Sequence, residues 1–114
     1  MLHTFAEFQI QGYVGKTTAL GNGKVLKVSI GTTENWTDSK TNERRERTDW
    51  NTVTLFERTP GFDWLKENLK TGDLVNARGR IAETSYEKDG KTVYETALTI
   101  ERLAVIPTGK NDRS

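Results

Sequence analysis

Apolar and polar residues alternate with period two over most of the chain. Phe8, Ile10, Gly12 and Val14 interleave with Gln9, Gln11 and Tyr13, the pattern of a strand with one buried face. Gly21-Asn22-Gly23 predicts a turn. Leu26, Val28 and Ile30 then alternate with Lys27 and Ser29 to give a second strand. The stretch from Asn35 to Arg47 is polar and crowded with charge, and reads as a long exposed connection. A third strand is expected from about Thr48 to Phe56.

The period then changes. Thr59-Pro60-Gly61 breaks the strand, and Phe62, Leu65 and Leu69 fall at i, i+3 and i+7, one stripe of a helix of about ten residues. Asp63 in its first turn, Lys70 in its last and Gly72 just beyond suit the helix dipole and a C-terminal cap. A fourth strand follows, with Val75, Ala77, Gly79 and Ile81 on one parity. Asp89-Gly90 is a strong hairpin turn, and a fifth strand runs from about Lys91 to Ala104, ended by Pro107. Five strands with one short helix between the third and fourth is the order of an all-β, five-stranded OB-fold barrel. Residues 1–106 are expected to form that domain, and 107–114 a short polar tail.

Composition agrees with a small barrel. Only 33% of residues are hydrophobic and mean hydropathy is −0.71, too little for a sheet covered on both faces. The absence of Cys excludes disulfides and thiolate chemistry, and the one histidine, His3, cannot build a triad or a multi-histidine metal site within one chain. No cofactor or catalytic motif is expected, and the protein reads as a non-enzyme. No apolar run reaches the roughly 18 residues of a membrane span and no signal segment follows Met1, so a cytoplasmic protein is the expectation.

Charge alone does not announce a ligand. Seventeen basic and sixteen acidic residues leave a net charge of +1, so any electrostatic footprint must be a stripe. From Phe8 to Thr33 there are three lysines, Lys16, Lys24 and Lys27, and no acid.

The third strand is more informative. Val53 and Leu55 are its only aliphatic residues and must point inward, which leaves Trp50, Thr52, Thr54 and Phe56 on the solvent side. Aromatic rings on a polar strand face suit base stacking. Trp36 lies in a polar context where no periodic core demands it, and Tyr86 sits near the tip of the last hairpin; both are candidates for the same role. Tyr13 and Tyr94 are explained equally well by cross-strand pairing, Phe5 and Phe8 by core or subunit contact, and Trp64 has no functional account. Lys24, Lys27, Arg44, Arg45, Arg78 and Arg80 are the candidate phosphate contacts. The last two share the outward parity of the fourth strand, whereas Arg44 and Arg45 lie in a run interleaved with acids.

At this point the residues resemble a known family. Phe8-Gln-Ile-Gln-Gly-Tyr-Val-Gly15 is similar to the opening strand of bacterial single-stranded DNA-binding proteins, and Thr32-Thr-Glu-Asn-Trp36 to the end of their second strand. Thr48-Asp-Trp50-Asn-Thr-Val-Thr-Leu-Phe56 is similar to their third strand, and Leu69-Lys-Thr-Gly-Asp-Leu-Val75 with Arg78-Gly79-Arg80 to the helix end and fourth strand. The resemblance spans about residues 5 to 106. It implies stacking of bases on Trp36, Trp50 and Phe56, and on Tyr86 where relatives usually carry Trp. It also implies single-stranded DNA as the partner, roles in DNA replication, recombination and repair, and a homotetramer, with a homodimer as the alternative. One departure is large. Relatives end in a long tail with an acidic tip that recruits replication enzymes, whereas this chain stops at Gly109-Lys-Asn-Asp-Arg-Ser114. Either a tail has been removed or the chain belongs to a tail-less branch, such as one on a phage or mobile element, and tail-mediated recruitment is not expected of it. Rival readings are an adaptor like primosomal replication protein N, against which the Trp36, Trp50 and Phe56 set argues, and an OB-fold that binds a protein. RNA is not separated from DNA by these residues.

Overall fold

The structure is a computed structural model and describes residues 3–108. Five strands, β1 (Glu7–Leu20), β2 (Val25–Thr37), β3 (Arg44–Phe56), β4 (Leu74–Lys88) and β5 (Lys91–Val105), and one helix, α1 (Phe62–Asn68), follow in that order with α1 between β3 and β4. The strands close a barrel in the order β1-β2-β3-β5-β4. All neighbouring pairs are antiparallel except β3 and β5, which meet in parallel at Thr54 and Thr99. This is the OB-fold expected from the element order.

The inward parity fills the barrel. Val14, Val28, Ile30, Val53, Leu55 and Val75 are fully buried, and Phe62, Leu65 and Leu69 of the helical stripe close one end. α1 is shorter than expected, seven residues, because Leu69 already turns to extended backbone while its N–H still bonds Leu65 O at 2.9 Å. Gly72 therefore does not cap the helix. It lies in the turn beyond, where its N–H donates to Val14 O at 2.8 Å. The hairpin turn at Asp89-Gly90 has positive φ at both residues (52° and 76°), as a two-residue type I′ connection requires.

The main correction concerns the predicted long connection. From Asn35 to Arg47 most residues are strand: β2 and β3 pair in register out to Thr37 and Arg44, leaving only Asp38 to Glu43 as the link. The ladder is held on its polar faces by Thr33 Oγ1 against Thr48 Oγ1 at 3.0 Å, and by Arg47 bridging Glu34 and Asp49 at 3.5 and 3.4 Å. Both faces of this arm meet solvent, so no apolar alternation marked it as strand. β4 and β5 form a second arm past the barrel. Ile81, on the inward parity, is exposed there because the strand has outrun the core. Phe8 packs partly against the core, but Phe5 does not: it lies exposed before β1. The two arms give a radius of gyration of 17.0 Å, against roughly 13 Å for a spherical domain of this length.

Candidate nucleic-acid interface

On the outer surface of β1, β2 and β3, register brings together what sequence parity suggested for β3 alone. Trp50 pairs with Gly31, Thr52 with Ser29, Thr54 with Lys27 and Phe56 with Val25. Trp50 is 58% exposed, and the floor beneath it is made of glycine. A Cβ on Gly31 would stand 2.9 Å from ring carbons Cη2 and Cζ3, and one on Gly15 of β1 would overlap the same two atoms. The indole thus lies flat across two strands, one face on backbone and the other open. Gly15 is the extra residue of a bulge between Val14 and Lys16, which keeps it beneath the ring. In the sequence Gly15 stands out only through the resemblance of the opening strand, and Gly31 not at all. Their use becomes visible only when the β1–β2–β3 register sets both under one side chain.

Beside Trp50 runs a shallow groove of about 270 Å³ lined by Lys16, Thr18, Leu20, Lys27, Ser29 and Thr52. Lys27 faces it from the outward parity, and Lys16 joins it from β1. Lys24 ends the β1–β2 turn, where its carbonyl accepts the Glu57 N–H at 3.0 Å and ties the turn to the residue after Phe56.

The surface continues across the barrel's closure. Thr54 meets Thr99 of β5, and Thr99 meets Arg80 of β4, so Lys27, Thr54, Thr99 and Arg80 form one row across four strands. Phe56 and Arg80 share a cleft of about 280 Å³ with Arg58, an arginine the sequence reading passed over. Its signal was weak, one cation beside Glu57. Along β4, Tyr86 stands on the same parity as Arg78 and Arg80, opposite Val93, so its ring faces outward like theirs. Arg78 itself lies opposite Arg102 in a separate notch with Asn76 and Ala104.

The remaining candidates are placed differently. Trp36 pairs with Arg45, and its parity puts it on the opposite side of the β2–β3 arm from Trp50 and Phe56. Arg45 is already matched by Asp38 and Glu43 at 3.6 and 3.5 Å. Arg44 shares the parity of Trp50 and makes no ion pair among the described residues. The arm therefore offers one spare cation on the Trp50 side and a neutralised one beside Trp36.

Among the described residues no group of three or more His, Asp or Glu side chains could hold a metal ion, and no helix is long and apolar enough to cross a membrane.

A closed OB barrel whose outer face carries open aromatic rings and unpaired cations belongs to the class that binds flexible polyanions with stackable groups. A match to the single-strand binding protein family spans residues 7–106, and the chain belongs to that family. Solved structures share its fold at low identity. A Plasmodium falciparum SSB in complex with ssDNA superposes with a TM-score of 0.69 at 20% identity, covering 94% of this chain and 99% of that one. The mitochondrial single-stranded DNA-binding protein Rim1 of S. cerevisiae gives 0.66 at 22%, covering 91% and 97%. A small single-stranded DNA-binding protein of Streptomyces coelicolor gives 0.61 at 16%, covering 91% and 96%.

Proposed function

We propose that residues 1–106 bind single-stranded DNA by stacking bases on Trp50, Phe56 and Tyr86 while Lys and Arg side chains follow the phosphates. The observation that carries this is the Trp50 indole, held flat on Gly15 and Gly31 with its outer face open. A ring fixed in that way loses little freedom when a base settles on it, and base–aromatic stacking is worth about 1–3 kcal/mol per base. Lys24, Lys27 and Arg44 are the phosphate partners that no acid pairs with among the described residues, Arg80 shares its cleft with Glu101, and Arg45 is the weakest of the set. Trp36 serves a strand that has wrapped round the edge of the arm, and Arg78 one that runs down the flank of β4. Every base has a π-face, so base preference is weak overall, and duplex DNA, which hides those faces, is a poor ligand.

The working state is a homotetramer. Two arms without support from their own barrel, and a radius of gyration above that of a spherical domain, leave surface that further copies would cover. Such a protein coats exposed strands during replication, recombination and repair, in the cytoplasm and without catalysis. The testing experiment is titration with oligo(dT), duplex DNA and RNA of equal length, followed by tryptophan quenching at several salt concentrations. Quenching by oligo(dT) that duplex fails to reproduce is the expected result. No quenching by any of the three would turn the exposed aromatics into a protein-docking face. RNA matching oligo(dT) would widen the ligand class to single strands of either sugar.

A further inference from the structure

The cleft beside Phe56 holds a group that a phosphate channel would not include. β4 and β5 change register between Arg78 opposite Arg102 and Gly79 opposite Ile100, so Glu101 is the extra residue of a bulge. Bulges re-aim the side chains they carry. This one is seated by Gly79, where a Cβ would overlap Thr99 O and stand 2.9 Å from Glu101 N. The β5 backbone occupies the space that a side chain at position 79 would need. The bulged Glu101 is thereby among the residues that line the same cavity as Phe56, Arg58 and Arg80. None of Arg58, Arg80 and Glu101 makes an ion pair among the described residues. Two arginines and a glutamate without ion pairs among the described residues thus line one space beside an aromatic ring.

A phosphate entering there would meet the guanidinium groups but also the carboxylate, which repels it. A base edge carrying donors and an acceptor side by side satisfies all three. Guanine is the base whose pairing edge offers two adjacent donors, N1–H and the N2 amino group, with the O6 acceptor next to them. The donors match the two oxygens of one carboxylate, and O6 can accept from an arginine. Thymine offers one N–H between two carbonyls, so a carboxylate that reaches it also faces oxygen lone pairs. Cytosine and adenine offer an amino group beside a ring acceptor, so their second contact to a carboxylate would be repulsive. The cavity of about 280 Å³ equals roughly nine waters of liquid volume, room enough for a purine edge.

We propose that the Phe56 cleft is a guanine-favouring subsite, read by Glu101 with Arg58 and Arg80, within an interface that is otherwise indifferent to sequence. The inference rests on single-stranded DNA binding as proposed above. It is tested by the affinities of equal-length d(TTG), d(TTI), d(TTC) and dT repeats for the whole chain, where I is inosine and lacks the N2 amino group. Isolated guanines keep the repeats from folding on themselves, and the spacing lets one guanine reach the cleft. A partly solvated two-point contact sits at the low end of base discrimination, so d(TTG) is expected to bind about fivefold more tightly than dT. Inosine should lose most of that gain, and cytosine should show little of it.

Glu101→Ala and the near-isosteric Glu101→Gln, each checked for an unchanged melting temperature, should bring the ratio of d(TTG) to dT close to one. Both remove a negative charge and so favour every oligomer alike, which makes the ratio and not the absolute affinity the readout. Equal binding of the four repeats by the wild-type chain, a cytosine gain as large as that of guanine, or a preference that survives both substitutions overturns the proposal. Failure of all four to bind would instead overturn the single-strand reading on which it stands.

Discussion

The glycine floor under Trp50 permits a prediction that separates the ring's posture from its presence. Gly31→Ala adds a carbon 2.9 Å from Cη2 and Cζ3 of the indole, whereas carbons rest at about 3.5–4.0 Å. The ring must therefore lift or tilt by roughly 0.5–1 Å, a displacement that forfeits a quarter to a half of a van der Waals contact. Applied to a stack worth about 1–3 kcal/mol, the loss is on the order of 0.5–1 kcal/mol, or about two- to fivefold in affinity for oligo(dT). The strand itself should not suffer, because Ala costs less backbone entropy than Gly in extended conformation. Fluorescence anisotropy of a labelled oligo(dT) reads the affinity, and thermal melting reads the fold. The decisive comparison is a double-mutant cycle: in a Trp50→Ala background, Gly31→Ala should cost nothing further. An equal loss in both backgrounds, or no loss in the wild type despite native melting, would refute the view that these glycines exist to seat the ring.

Trp50→Ala should itself weaken oligo(dT) binding by about 1–3 kcal/mol with native circular dichroism. Lys27→Ala and Arg44→Ala should each make the slope of log K against log salt shallower by about 0.7 per contact, while Arg45→Ala, whose charge is already matched, should leave it nearly unchanged. Leu55→Ala, at a fully buried site, should cost about 2–5 kcal/mol in urea denaturation, unlike the exposed aromatics. Sedimentation should show a tetramer at micromolar concentration, and a monomer there would remove the proposed assembly.

The barrel was legible because each of its strands has one face against the core. Val28 and Ile30, Val53 and Leu55, and Val75 and Ala77 all lie inside as their alternation required. The arms were not legible for the complementary reason. Glu34 to Arg47 pairs through charges and threonines with solvent on both sides, and period-two hydrophobicity has no cause there. Which aromatics share a face needed the ladder as well. Trp36 and Trp50 look equivalent as polar-context tryptophans, but pairing with Arg45 and Gly31 places them on opposite sides. Arg58 entered the site through the closing of β3 against β5, and Glu101 through a bulge, neither of which leaves a mark in composition or period.

The closure of the barrel has a mechanical consequence. The hoop is joined at a single parallel pair, Thr54 with Thr99, between strands far apart in sequence, and the buried Thr59 hydroxyl reaches across to Ile100 O at 3.5 Å as its nearest brace. A long loop must close before those contacts form, and at this joint only one bridged pair rewards the closure. They should also be the first to open in the native state, ahead of the antiparallel ladders on either side. Phe56 and Arg80 stand on opposite sides of that joint. A ligand gripping both acts as a rivet through the weakest point of the hoop, so it should raise the melting temperature and slow amide exchange at Thr54 and Thr99 more than elsewhere in the barrel.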